Sequence, residues 1–260
     1  KNSPCRIPYV NLGAQWEEDR SELLPIIDTV LGSGQYVGGD KVDKFEKNMA
    51  QLCQVKYAVA LNSGTDALTL SLHLLGVGRD EEVITPPNSF IASTAVIMHL
   101  GARPVFVDVL PDQNIDPTKI EAAITDKTKA IMPVHLTGRV CEMDPIIALA
   151  EKYSLAVVED AAQAIGSKYK DHLSGSFGHV GCFSTHPLKN LNACGDGGFI
   201  TTNDEKIYSE VKALRNHGMS DRDSVNKFGY VSRMDNLQAA ILNYRLGKLD
   251  DIIQKRRNNA

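Results

Sequence analysis

The stretch "YAVALNSGTDALTLSLHLL", residues 57–75, divides into three parts. Tyr57 to Leu61 is a short, continuous apolar run, the pattern of a strand covered on both faces. Asn62-Ser63-Gly64 is a small polar turn. From Thr65 to Leu75, leucines at 68, 72 and 75 recur at i, i+4 and i+7, which puts them on one face of a helix. Strand, tight turn and helix in that order is the unit from which parallel sheets are built.

Working outward, the same alternation continues. Val83-Ile84 reads as a strand ending at Pro86-Pro87, with a helix from about 92 to 100. Residues 104–109 form the next strand, followed by a polar turn and a short helix near 117–124. Residues 130–135 are a strand before a helix around 145–152, and 156–160, 180–184 and 199–202 are further strands. Continuous apolar strands separated by helices predict an α/β fold of three αβα layers, with a mostly parallel sheet covered on both faces. Residues 234–260 read as one long helix with Leu237, Ile241, Tyr244, Leu249, Ile252 and Ile253 as its approximate buried stripe. That helix carries no Gly or Pro stop signal at its end, so the chain is expected to be a truncated piece.

Composition narrows the function classes. The 260 residues carry a net charge of -4, with 43% hydrophobic and 23% charged residues, which is ordinary for a globular domain. Such totals imply no basic face, so a nucleic-acid partner is not expected. Five scattered cysteines with no C-x-x-C pair predict reduced thiols and neither a disulfide framework nor a structural zinc site. No apolar run approaches the roughly 18 residues that span a bilayer, and the first residues lack the apolar core of a signal peptide. A soluble cytoplasmic protein without a membrane partner is the expectation.

In open α/β sheets ligands collect beyond the C-terminal strand ends. The polar residues there are Asn62 to Thr65, Asn88-Ser89-Phe90, His135, Glu159-Asp160 and Ser184-Thr185-His186. Ser63, Gly64 and Thr65 open a helix, where free backbone N–H groups and hydroxyls make an anion site; an ordinary N-cap is the plainer reading. Asp160 ends an apolar strand, so its carboxylate needs a cationic partner or serves as a turn residue. Lys189 lies in "CFSTHPLKNLNACGDGG", residues 182–198, between a strand and a glycine-rich turn. Pro187 fixes one backbone angle on its approach, and Gly195, Gly197 and Gly198 permit a turn closed to other residues. A lysine held so rigidly, with its basicity lowered, can bond a carbonyl carbon. A phosphate-binding turn, a carboxylate and a fixed lysine are together the parts that pyridoxal phosphate requires.

At this point the chain resembles the sugar aminotransferases of the DegT/DnrJ/EryC1/StrS group, which share the aspartate-aminotransferase fold (fold type I of the pyridoxal-phosphate enzymes). The resemblance runs through "YVGGDKVDKFE", "ALNSGTDAL", "ITPPNSFIAST", "GARPVFVDV", "VHLTG", "VVEDAAQAIGS", "CFSTHPLKNLNACGDGGFI", "LRNHG" and "SRMDNLQAAIL", in that order over nearly the whole chain. It implies a pyridoxal 5'-phosphate cofactor joined to Lys189 as a Schiff base, with Lys189 and Asp160 as the catalytic pair. Asp160 would meet the pyridine nitrogen, Gln163 the ring 3-oxygen and Phe90 the ring face. Ser63, Gly64, Thr65 and Ser184 would bind the phosphate, and His186 would face substrate or merely pack. It also implies L-glutamate as amino donor, a keto-sugar carried on a nucleotide as acceptor, a homodimer with its sites near the interface, and a role in lipopolysaccharide or deoxysugar synthesis. Residues 1–233 would be the cofactor-binding domain with its N-terminal arm, and 234–260 a connection toward a small C-terminal domain.

Two alternatives stand beside this reading. One is a catalytically silent regulatory or scaffolding homologue. The other is the dehydratase branch of the same group, which carries His where this chain has Lys189. One departure from the pattern is Gly229-Tyr230-Val231-Ser232-Arg233, where the group often has Asn in place of Val231, reaching a phosphate across the dimer. Asn226 and Ser232 are the candidates to replace that contact.

Overall fold

The computed structural model describes residues 10–259. Two helices open it, α1 (Leu12–Ser33) and α2 (Asp40–Cys53). The alternating part follows as β1 (Tyr57–Leu61), α3 (Gly64–Leu74), β2 (Glu82–Thr85), α4 (Ile91–His99), β3 (Arg103–Phe106), α5 (Pro117–Ile120), β4 (Thr128–Ile131), α6 (Met143–Tyr153) and β5 (Ala156–Asp160). A two-stranded hairpin, β6 (Lys168–Tyr169) with β7 (His172–Leu173), leads to β8 (Val180–Ser184) and β9 (Gly198–Thr202). Three helices close the described chain: α7 (Glu205–Leu214), α8 (Asn236–Leu246) and α9 (Leu249–Asn258).

Seven strands form one sheet in the order β1-β9-β8-β5-β4-β2-β3. Every neighbouring pair is parallel except those made by β9, which runs antiparallel to both β1 and β8. Six strands therefore point the same way, and the C-terminal ends of β1, β5 and β8 meet at the edge where β9 begins. This is the mostly parallel sheet expected from the alternating pattern.

Burial on both faces follows the two-residue period of the strands. Val59 and Leu61 of β1 join α3, α4 and α7 in one core, while Ala58 and Ala60 join α2 and α8 in another. In β5, Val158 packs into the first core and Val157 into a third, built with α6. The stack of Phe183 on Phe199, centroids 4.5 Å apart, carries the second core across β8 and β9.

The long helix expected over 234–260 is instead two helices, parted at Gly247-Lys248. Glycine is a weak helix former, and Lys248 turns back to Asp19 of α1 at 2.6 Å. The β6–β7 hairpin was not foreseen, because two-residue strands carry too little pattern to read. Cys53, Cys141 and Cys182 are buried free thiols and Cys194 an exposed one, while Cys5 lies outside the described residues. Among the described residues no helix is long and apolar enough to cross a membrane.

Candidate active site

A cavity of about 440 Å³ opens where the ends of β1, β5 and β8 converge. Its wall includes Ser63, Gly64, Thr65, Phe90, Asp160, Gln163, Ser184, His186 and Lys189, so the structure brings together the residues that the resemblance assigned to cofactor and substrate. Two larger depressions, of about 730 and 650 Å³, lie elsewhere. Around the first, Arg215 pairs with Glu46 and Lys227 with Glu210, while Arg233 donates to Asn216 Oδ1, and the second is a groove beside α6.

The α3 end of the cavity is an anion cradle. Ser63 caps the helix, its hydroxyl accepting from the Asp66 N–H at 3.1 Å. The N–H groups of Gly64 and Thr65 come first in the helix, where no preceding turn offers them a carbonyl, and the helix dipole adds positive potential there. Gly64 is glycine for a steric reason: a Cβ would lie 2.7 Å from that of Ser184. Gly198 is tighter still, since a Cβ there would overlap the Ser63 carbonyl carbon. The glycines thus let three chain segments close together at the start of α3, with the Ser184 side chain beside them.

At the other end stands Asp160, only 5% exposed. Its backbone is locked between strands, its N–H donating to Pro133 O at 2.9 Å and its carbonyl accepting from His135 N at 3.0 Å. The carboxylate accepts from Ala162 N at 3.2 Å on Oδ1 and from the Ser93 hydroxyl at 2.6 Å on Oδ2. Ser93 is buried in the first turn of α4 and lies 2.7 Å from the hydroxyl of Ser89, which precedes the helix. Sequence reading missed Ser93, because Ser89 lies before the helix begins and no helical periodicity links the two serines.

Glu159 and His135 do not belong to the site. Adjacent strand residues point to opposite faces, so with Asp160 turned to the cavity, Glu159 turns away. It is fully buried, and its carboxylate accepts from Gly175 N, Phe177 N and Gly178 N at 2.7–2.8 Å. His135 Nε2 is 3.0 Å from it, and His135 Nδ1 accepts from Cys141 N at 3.3 Å, which leaves the proton on Nε2. The pair is an internal brace for the chain between β7 and β8.

Lys189 is half-buried, and that burial lowers its basicity, an effect the nearby charge of Asp160 partly opposes. Its loop leaves β8 and returns to β9, closed by Ala193 N donating to Thr185 O at 2.7 Å and Thr185 N to Gly197 O at 2.9 Å. A polar clamp grips the loop from behind. The Asn192 amide donates to Pro187 O and to Gln15 Oε1, both at 2.9 Å, and Arg245 Nη1 donates to Asn192 O at 2.8 Å. Arg245 in turn pairs with buried Asp19 at 3.2 Å. Gln163 Oε1 accepts from Thr137 N at 3.0 Å, which leaves its NH2 free to donate elsewhere. Phe90 is 69% exposed at the cavity mouth. His186 is also exposed, its Nδ1 accepting from Leu188 N at 3.2 Å. Ser232 is fully buried and donates to Asn62 Oδ1 at 3.3 Å, so it does not reach outward in place of an asparagine at Val231; Val231 itself is 53% exposed.

The cavity offers helix N–H groups and hydroxyls at one end, a carboxylate at the other, an amide donor at the side and an amine of lowered basicity between. These donors fit pyridoxal phosphate, and the Gly64–Ser184 cradle that a Cβ would fill is the steric counterpart of its phosphate.

A model of the DegT/DnrJ/EryC1/StrS aminotransferase family matches residues 17–260. A dTDP-3-amino-3,6-dideoxy-alpha-D-galactopyranose transaminase of Aneurinibacillus thermoaerophilus is 46% identical over 98% of this chain and 70% of its own length. A pleiotropic regulatory protein of Geobacillus stearothermophilus is 41% identical over 98% of this chain and 68% of its own. Among solved structures, Streptomyces venezuelae DesV in complex with a ketimine intermediate superposes with a TM-score of 0.91 at 42% identity, over 95% of this chain and 67% of that one. The chain thus spans about two thirds of the length of the proteins it matches, and it belongs to this aminotransferase family.

Proposed function

We propose, proceeding from that membership, that this chain is the cofactor-binding part of a pyridoxal-phosphate-dependent aminotransferase. It would move an amino group from L-glutamate to a keto-sugar carried on a nucleotide. The observation that carries the reading is one cavity that gathers a lysine of lowered basicity, a fixed carboxylate and a helix N-terminus. When bound, pyridoxal phosphate supplies an aldehyde that reacts with amines and a ring that accepts the electron pair left when a C–H bond beside nitrogen breaks.

The chain's own residues do the rest. Gly64, Thr65 and Ser184 would hold the phosphate, and Phe90 would cover one ring face, a role suited to an exposed aromatic at the mouth. Asp160 would accept a hydrogen bond from a protonated ring nitrogen and so stabilise the charge there. Gln163 donates its amide to the ring oxygen. Lys189 would hold the cofactor through its aldehyde. With its amine released, Lys189 would act as general acid–base, taking the proton from the substrate carbon next to nitrogen and delivering it to the former aldehyde carbon of the cofactor. Burial favours the neutral form that both tasks need. Lys189 rather than His at this position favours amino transfer over the dehydratase branch, and the intact set of Lys189, Asp160 and Gln163 favours an enzyme over a silent regulator. A homodimer is part of the proposal; it would give the exposed apolar residues Val225, Phe228 and Val231 a partner surface. Cytoplasmic polysaccharide or deoxysugar synthesis is the proposed setting.

The test is optical. Purified protein mixed with pyridoxal phosphate is expected to develop a long-wavelength absorbance band that L-glutamate bleaches, with a Lys189→Ala variant giving no such band. A band of equal strength in that variant would remove Lys189 from its role. A band that glutamate leaves unchanged would favour the silent homologue or another donor.

A further inference from the structure

Nothing so far accounts for Ser89 and Ser93. Ser93 is 1% exposed, yet it places a hydroxyl in the apolar layer between α4 and the sheet. Burying a hydroxyl requires a compensating hydrogen bond, and here the bond goes to Asp160 Oδ2 at 2.6 Å, at the short end for an O–H donor. A hydroxyl has one proton. The carboxylate can only accept, so the Ser93 proton is committed to Asp160. The 2.7 Å contact between Ser93 and Ser89 must then run the other way, with Ser89 donating to Ser93. The result is a directed relay, from Ser89 O–H to Ser93 Oγ and from Ser93 O–H to Asp160 Oδ2. Each link polarises the next. Ala162 N holds the second oxygen, Oδ1, at 3.2 Å. One donor on each oxygen fixes the plane of the carboxylate and leaves its other lone pairs for whatever occupies the cavity.

We propose that Ser93, oriented by Ser89, is a positioning residue that acts through Asp160 and sets the strength of its contact with the cofactor's ring nitrogen. The inference rests on the cofactor reading above. Without Ser93, Asp160 keeps a single donor and can turn about its side-chain bonds, so contact with the ring nitrogen weakens. Ser89 is only partly buried, so its removal loosens the relay without opening a cavity. Neither serine has to touch the cofactor for this effect.

The experiment compares two ligands on the purified protein, by fluorescence titration at equilibrium. One is pyridoxal phosphate; the other is its 1-deaza analogue, in which carbon replaces the ring nitrogen. Loss of a charge-assisted hydrogen bond predicts that Ser93→Ala weakens pyridoxal phosphate roughly tenfold. Ser89→Ala should weaken it by a smaller factor in the same direction. Affinity for the deaza analogue should change less than about twofold in both variants, since Asp160 has no ring nitrogen to meet there. Equal weakening of both ligands, or of neither, would overturn the proposal, because a purely structural serine does not discriminate between them. A Ser93→Thr variant, which keeps the hydroxyl, should recover the discrimination and guards against misfolding of the alanine form. If the unaltered protein binds neither ligand, the cofactor reading itself fails, and that outcome is distinct from failure of the relay.

Discussion

Lys189 is placed where a lysine is least comfortable. Its ordinary value is 10.5, and burial lowers it in the fold. The ammonium form is therefore destabilised in the folded protein relative to the unfolded chain. Below the folded value that cost is present in full. As pH rises from the folded value toward 10.5, the unfolded chain holds more protons than the folded one, so the cost is lifted. Cofactor-free Lys189→Met should for this reason melt a few degrees above the unaltered protein at pH 7, with the gap narrowing as pH is raised toward 10. Differential scanning calorimetry at several pH values measures it; a gap that stays constant or has the opposite sign would contradict the burial argument. Asp160 and Glu159 carry a second lesson at this scale. The sequence places two carboxylates at one strand end, and the strand period means that only one can face the cavity. Which one depends on partners far along the chain, Ser93 on one side and the backbone of 175–178 on the other.

Between elements, the lysine loop depends on the contact of α1 with α8. Asp19, Arg245 and Asn192 are each at most 5% exposed and lie 226 and 53 positions apart in their hydrogen-bonded pairs. No local pattern could reveal them, because two of the three are ordinary charged residues on amphipathic helices until the fold joins them. Removing one partner of a buried ion pair usually costs about 3–5 kcal/mol. Arg245→Met should fall near the lower end, about 3 kcal/mol, because Lys248 still reaches Asp19. Adding Asp19→Leu should recover much of the loss, since no buried charge then remains and Lys248, which loses its partner, is 43% exposed and can turn to solvent. Urea unfolding of the single and double variants decides this, and strict additivity of the two losses would argue against a coupled clamp. The element boundaries themselves were legible wherever periodicity was strong, as in α3 with its leucine face. They failed where a single Gly247 parts α8 from α9 and where strands shrink to two residues.

For the molecule as a whole, one architectural fact organises the rest. Six strands run in the same direction, and their common C-terminal edge collects the residues that sequence reading had picked out one at a time. That edge was legible because apolar strand, polar end and helix recur in the sequence with regular order. The antiparallel course of β9 was not, although it explains two of the glycines: none of Gly195, Gly197 and Gly198 needs a left-handed backbone, but Gly197 lets the returning chain pass against Thr185 and Gly198 lets β9 start in contact with Ser63. The position of Lys189 between those two strands is the central claim. Incubation of the purified protein with pyridoxal phosphate, reduction with borohydride and peptide mapping by mass spectrometry tests it most directly. The expected result is a single reduced phosphopyridoxyl adduct on Lys189; label spread over surface lysines with Lys189 unmodified would contradict it.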